Sequence, residues 1–252
     1  MDATLLADAG LAAVALAVGL LIGTVGVGGV LLIAFLALSG SWSIHQAAAT
    51  ALVTFFFAGL LGTWLYQRRG SIVWHIAAPV CVGALGFGYL GAEAAARIDS
   101  RLLTIFIALV IVGAGIHVLA PQRAQARWRS GRGWREQLLL GTVGAASGLG
   151  SGLSGAGGAV FSVPSMMILR YVPLAAVATS QVLQIVAAIS GSIGNLRHGF
   201  IDWRAAALIT AFELAGVMLG VRLAHAASAA ALRRLAGALC IASGGLLLAR
   251  SL

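Results

Sequence analysis

The chain is dominated by long apolar runs that short polar segments separate. The runs lie at about 4–38, 46–66, 75–96 and 102–120, and again at about 138–169, 175–195, 204–224 and 231–250. A helix that crosses a bilayer needs about 20 mostly apolar residues. The pattern therefore predicts an all-α integral membrane protein with about eight transmembrane helices, four in each half of the chain.

One polar segment, residues 121–137, divides these two sets of runs. Its five arginines are Arg123, Arg127, Arg129, Arg132 and Arg135. Because basic residues concentrate in cytoplasmic loops, we predict a basic cytoplasmic linker at 121–137, between a first transmembrane repeat at 1–120 and a second at 138–252. With four spans in each half, the arginines place both termini inside and favour parallel halves. Inverted halves stay open, and require the first segment of each half to count as two elements.

The second half repeats the first in detail. Shifted by 129 residues without gaps, residues 26–74 match 155–203 at thirteen of 49 positions. The matches include Gly26/Gly155, Gly28/Gly157, Gly29/Gly158, Thr50/Thr179, Gly62/Gly191, Arg68/Arg197 and Trp74/Trp203. Shared apolar bias does not align glycine, threonine, arginine and tryptophan in one register. Internal repeats in a membrane protein indicate a transporter with its site at the repeat interface.

The amino-acid composition indicates which kind of partner the protein has. Hydrophobic residues make up 60% of the chain and charged residues 9%, which is too little charge for the surface of a soluble domain. The net charge is +9, but the arginines lie mostly at the ends of apolar runs, so the expected partner is the lipid bilayer of a bacterial inner membrane and not nucleic acid. Whether the chain forms a homo-oligomer stays open.

No cofactor, metal or disulfide is expected. Cys81 and Cys240 both lie inside apolar runs and lack metal-ligand spacing. The five histidines neither cluster nor recur between the halves.

A glycine-rich break interrupts the first apolar run of each half. The two breaks contain Gly26, Gly28 and Gly29, and Gly155, Gly157 and Gly158. Unwound backbone at membrane depth is tolerated where it is buried in protein or lines a cavity. A helix that restarts after a break offers free N–H groups and a positive dipole end, which suit an anion. Matched breaks therefore predict a substrate site, although close helix packing through small residues is the alternative for each one.

Polar residues near the breaks are further candidates for substrate binding. They are Thr50, Ser154, Thr179, Ser180 and Gln181. Hydroxyl and amide groups orient an oxyanion without adding charge. The alternative is hydrogen bonding between helices, which is favoured for Gln184 and Asn195.

Glu213 is the most central acid, in the middle of the run at 204–224. An ionisable residue at that depth is a functional candidate by default, and we predict that it couples transport to protons. Its counterpart Ala84 gives no support from the repeat, so a structural acid is the alternative.

A second motif points to catalysis. Gly152-Leu153-Ser154-Gly155 has the GxSG form of the rhomboid intramembrane proteases, in which serine pairs with a histidine on another span. His117 and His198 lie at the ends of runs, and the rhomboid architecture is not a duplication. A serine hydrolase is therefore disfavoured, no catalytic residue is predicted, and a passive anion channel is the other alternative.

Together these motifs resemble the repeat of the TauE/SafE sulfite exporter family. The second half carries Gly155-Ala156-Gly157-Gly158, Val163-Pro164, Ala176-Val177-Ala178-Thr179-Ser180 and His198-Gly199-Phe200-Ile201-Asp202-Trp203. The first half is looser, with Phe35 in place of the proline and Ala51 in place of the serine. The resemblance implies a permease for a small anion, often a sulfur oxyanion or organosulfonate such as sulfite.

Overall fold

The computed structural model describes residues 3–26, 28–39, 42–120, 133–198, 200–225 and 229–251. All elements in these ranges are helices. They are α1 (Ala3–Val25), α2 (Gly29–Leu38), α3 (Ile44–Arg68), α4 (Trp74–Ala84), α5 (Phe87–Arg97), α6 (Ser100–Leu119), α7 (Trp134–Ser154), α8 (Ala159–Ile168), α9 (Pro173–Leu196), α10 (Trp203–Ala224) and α11 (Ala229–Ser251). Most of the predicted basic linker (121–132), with Val27 and Gly199 of the motifs, lies outside the described residues.

Five segments are long and apolar enough to cross a membrane. They are α3, α4 together with α5, α6, α9 and α10. The α4–α5 span bends at Gly86, which has a φ of 80°. The prediction of a multi-pass helical membrane protein is confirmed. The prediction of eight spans, four in each half, is not confirmed, because it counted the broken first segment of each half as one span.

Each glycine break separates two helices of a hairpin. The chain reverses after α1, because Gly28 packs back against Val18 and Ile22 of that helix. In the second half the chain returns from α8 to the start of α7, where the Tyr171 hydroxyl donates to the Glu136 carboxylate at 2.6 Å. The first segment of each half is therefore two elements.

The central helices α3 and α9 run antiparallel. Leu52 packs on Gly191 near one end of the pair, and Gly62 packs on Gln181 near the other. These two contacts exchange under the 129-residue shift. Antiparallel packing of equivalent helices is the geometry of inverted halves, so the expectation of parallel halves is wrong. The arginine argument failed because it counted each hairpin as one span.

The long helix of each hairpin packs on a helix of the other half: α1 packs on α10, and α7 packs on α5. Gly23 of α1 lies against Gly220 of α10, and Gly152 of α7 lies against Gly91 of α5. At all four glycines a Cβ atom would sit within 3.0 Å of the facing backbone, so no larger residue permits this approach. The hairpins are thereby fixed across the boundary between the halves.

Two sets of helix ends define opposite faces of the bundle. At the linker face, α3, α6 and α10 end and α7 begins; Arg69 donates to the Val221 carbonyl at 3.1 Å there. At the far face α11 ends, and Arg250 donates to the Leu38 carbonyl of α2 at 3.0 Å. Because α1 runs parallel to α10, it begins at the far face. The beginning of α1 and the end of α11 thus lie at the face opposite the linker. This differs from the expectation that both termini lie on the same side as the linker.

Candidate functional site

The two glycine breaks meet at the centre of the molecule. A Cβ atom on Gly29 would lie 2.8 Å from the Ala156 carbonyl oxygen and 2.7 Å from the Phe55 ring. Gly26 faces the Ser180 hydroxyl, at 3.3 Å from its Cβ position. Phe55 also contacts Gly157. The structure thus brings both predicted breaks together between α3 and α9, at the boundary of the halves.

Backbone conformation requires glycine at two positions of the second break. Gly155 and Gly157 have φ values of 68° and 76°, in the left-handed region that other L-residues avoid. Gly155 is also pressed against the backbone of Ala48 on α3. The second break is therefore a turn whose backbone conformation requires glycine and which packs tightly against α3 of the first half.

The start of α8 presents unpaired backbone donors. Within the described chain, the N–H groups of Gly157, Gly158, Ala159 and Val160 make no hydrogen bond, and all four residues are buried. Buried backbone donors nearly always have a partner. Unpaired donors at the positive end of a helix suit an anion.

Ser154 shapes this turn through backbone bonds. Its hydroxyl donates to the Gly150 carbonyl at 2.7 Å and accepts the Ala156 N–H at 3.2 Å. Both partners are structural, and neither is the base that a serine nucleophile requires.

Ser180 and Gln181 hold the tip of the first hairpin. The Ser180 hydroxyl, which faces Gly26, donates to the Val177 carbonyl at 2.8 Å, so its oxygen can accept but its proton is engaged. The Gln181 amide donates to the Ile22 carbonyl near the end of α1 at 3.0 Å. The Ile22 carbonyl also accepts the Gly26 N–H at 3.1 Å, so Gln181 gives this oxygen a second hydrogen bond and ties α9 to the end of α1.

The equivalent threonines differ. The Thr50 hydroxyl accepts the Asp202 N–H at 3.0 Å and so anchors the start of α10. The Thr179 hydroxyl is buried and has no partner among the described residues. The structure does not bring Thr50 to the breaks.

Gln184 and Phe55 join the site, although sequence reasoning assigned Gln184 to packing and did not select Phe55. The Gln184 amide N–H donates to the Phe55 carbonyl at 3.1 Å. Its amide oxygen lies 3.8 Å from the Cβ position of Gly157, and the side chain is 2% exposed. The available signal was the repeat itself, because the 129-residue shift superimposes Phe55 on Gln184.

Glu213 is fully buried beside α3 and α1. Neither carboxyl oxygen has a hydrogen-bond partner in the described chain. The Thr54 hydroxyl lies against the carboxyl but donates to the Ala51 carbonyl at 2.9 Å. A protonated Glu213 could donate to the free lone pair of Thr54, whereas an ionised one finds no donor there.

Comparison with known proteins identifies the family to which this chain belongs. Residues 11–247 match the family described as Sulfite exporter TauE/SafE. The chain is 27% identical over 212 residues to the probable membrane transporter protein YdhB of Bacillus subtilis (strain 168), covering 81% of this chain and 85% of that protein. It is 22% identical over 173 residues to the probable membrane transporter protein YunE of the same organism, covering 62% and 63%. No solved structure matches the chain.

Proposed function

Because the chain belongs to the sulfite exporter TauE/SafE family, and is thus a multi-pass membrane transporter of the cell membrane, we propose that it carries a small anion by secondary transport. The proposed substrate is a sulfur oxyanion or an organosulfonate such as sulfite. The proposed site lies where the two hairpins meet, beside Phe55, Ser180 and Gln184.

The observation that carries this proposal is the set of four unpaired N–H groups at the start of α8. Backbone donors fixed by the Gly155 and Gly157 turn cost no reorganisation when an anion arrives. Oxyanions accept several hydrogen bonds at once, which matches donors clustered at one helix end. The Ser180 oxygen and the Gln184 amide oxygen, which accept hydrogen bonds, would orient a substrate that carries a proton of its own.

Inverted halves around a buried site support transport in preference to a passive channel. Gly26, Gly29, Gly155 and Gly157 are all buried, so a solute reaches them only if helices move. In inverted-repeat transporters one repeat or bundle moves against the other and exposes the midplane site to each side in turn. Each hairpin packs closely on the other half, so it would move together with that half.

Glu213 is the proposed proton carrier. Gly19 of α1 packs on the Glu213 backbone, and α3 brings the Thr54 hydroxyl to the carboxyl. Among the described residues, neither helix brings a cation to this carboxyl. An unpaired buried carboxylate is costly. Binding a proton before the protein changes conformation would remove that charge.

The linker face is the proposed cytoplasmic side. Seven of the arginines in the described ranges lie in loops or helix turns near that face, and five lie near the far face. The sequence that joins α6 to α7 adds four more. Cytoplasmic segments carry the basic excess. The loop after α3 would then be inside and the equivalent loop after α9 outside.

Uptake into proteoliposomes tests the proposal. Purified protein should move labelled sulfite or a labelled alkanesulfonate with saturable kinetics, faster with a pH gradient than without. Non-saturating flux that ignores the gradient would indicate a channel. An absence of flux for every sulfur anion, at any gradient, would reject the proposed substrate class.

A further inference from the structure

The charges around the site bear on which anions it admits. Every arginine whose burial is described is exposed, and the sequence contains no lysine. Among the charged residue types of the described chain, only Glu213 is buried. Among the described residues, no cationic side chain is buried with the hairpin tips to meet an anion there.

Neutral donors balance one negative charge better than two. The start of α8 offers N–H groups and a dipole end equivalent to about half a charge. A second charge on the ligand would stay uncompensated in a site that excludes water, and the acid Glu213 on α10 cannot compensate it. Anion sites that take divalent oxyanions commonly add arginine or lysine, and this site adds neither among the described residues.

A second observation points to the ligand at this helix end. The Gln184 side chain is 2% exposed, and its amide oxygen lies beside Gly157 without a hydrogen-bond partner in the described chain. This oxygen can only accept. A monovalent oxyanion that retains a proton, such as hydrogen sulfite, can accept from the α8 backbone and donate to Gln184. A fully ionised divalent anion has no proton to donate. An alkanesulfonate lacks one as well, but its single charge is repelled by this oxygen less strongly than two charges are.

We propose that the site selects monovalent anions, namely hydrogen sulfite and alkanesulfonates, and excludes divalent anions such as sulfate and thiosulfate. This inference rests on the anion site proposed above. We expect affinities for the two charge classes to differ by about 100-fold or more, given the cost of a buried unpaired charge.

Thermal stabilisation of the purified full chain tests the inference. Sodium methanesulfonate and sodium sulfate would be titrated at matched ionic strength. Stabilisation by methanesulfonate alone, or at concentrations about 100-fold lower than sulfate, supports the inference. Equal stabilisation by both overturns it and leaves the anion site intact. Stabilisation by neither, nor by sulfite, overturns both the inference and the anion site.

Sulfite itself provides a second readout, because its charge changes with pH and that of methanesulfonate does not. At fixed total sulfite, stabilisation should increase as the pH falls and hydrogen sulfite accumulates. The Glu213→Gln variant separates this effect from titration of Glu213, since sulfite should keep its pH dependence in that variant. Loss of the pH dependence there would overturn the inference.

A charge addition gives a converse test. In Gln184→Lys a cation stands beside Gly157, and the preference should shift from methanesulfonate toward sulfate. An unchanged preference in a folded variant would contradict the inference.

Discussion

The Gln184 amide donates to the Phe55 carbonyl at 3.1 Å, and these two residues occupy equivalent positions in the two halves. The bond therefore joins the centres of α3 and α9 close to the axis that relates the halves. The same two side chains contact Gly157 from the second break. This contact therefore lies at equivalent positions of the two repeats, between the central helices, and beside the candidate site.

Changes at Gln184 should separate packing from binding. Gln184→Met keeps the volume but loses one buried hydrogen bond, and we expect about 1 kcal/mol of destabilisation. Gln184→Glu places a carboxylate beside Gly157, and we expect anion affinity to fall about 10- to 100-fold through like-charge repulsion. Thermal unfolding and anion titration measure the two effects. Unaltered affinity in a folded Gln184→Glu variant would remove Gln184 from the site.

Gly155→Ala should destabilise the protein. The left-handed φ costs about 1–2 kcal/mol, and the added Cβ would lie no farther than 2.6 Å from three Ala48 atoms, which adds about 1–3 kcal/mol of overpacking. The matched control is Gly113→Ala on α6, where a Cβ meets nothing within 4 Å. Thermal unfolding in detergent should show a large loss for the first variant and none for the second. Equal stability of the two would contradict the described turn.

Glu213→Gln should abolish stimulation of transport by a pH gradient. Glutamine cannot carry a proton, and the fold should survive because the carboxyl makes no hydrogen bond in the described chain. The control is Glu93→Gln, whose carboxylate contacts Arg97 and His198 at the far face. Uptake would be compared with and without the gradient. Persistent stimulation in Glu213→Gln would exclude Glu213 as the carrier.

Inverted halves predict opposite accessibility for equivalent loops. Arg68 and Arg197 are related by the 129-residue shift, and both are exposed. Single cysteines would replace each one in a background with Cys81 and Cys240 removed. An impermeant maleimide added to intact cells should label the cysteine at 197 and spare the one at 68. Matching labelling at both positions would restore the parallel arrangement.

The repeat could be read from the sequence because glycine, threonine, arginine and tryptophan aligned in one register. The direction of the halves could not, because hydropathy cannot distinguish one broken span from a hairpin of two helices. Only the packing of Gly28 onto Val18 and the antiparallel contacts of α3 and α9 decide that point. The distribution of arginines favoured parallel halves only because each hairpin was counted as a single membrane crossing.

For the candidate site too, one part could be predicted from the sequence and another part could not. The glycine breaks were evident because their composition is extreme for a membrane segment. The roles of the polar residues depend on which hydroxyl protons and carbonyls are already paired, as with Thr50 on Asp202 and Ser154 on Gly150. The partner of Thr50 is 152 residues away on another element, and the bond from Ser154 to Gly150 forms only because α7 continues to Ser154. Spacing along the chain alone therefore did not reveal them.

Uptake by Gly157→Leu tests the central claim most directly. The leucine side chain would fill the space between Phe55, Gln184 and the unpaired N–H groups of α8, while Gly113→Leu adds the same side chain on α6, where nothing lies within 4 Å of the new Cβ. With both variants purified and reconstituted at equal amounts, labelled sulfite uptake should be lost in Gly157→Leu and retained in Gly113→Leu. Normal uptake by Gly157→Leu would contradict a substrate site at the meeting of the two hairpins.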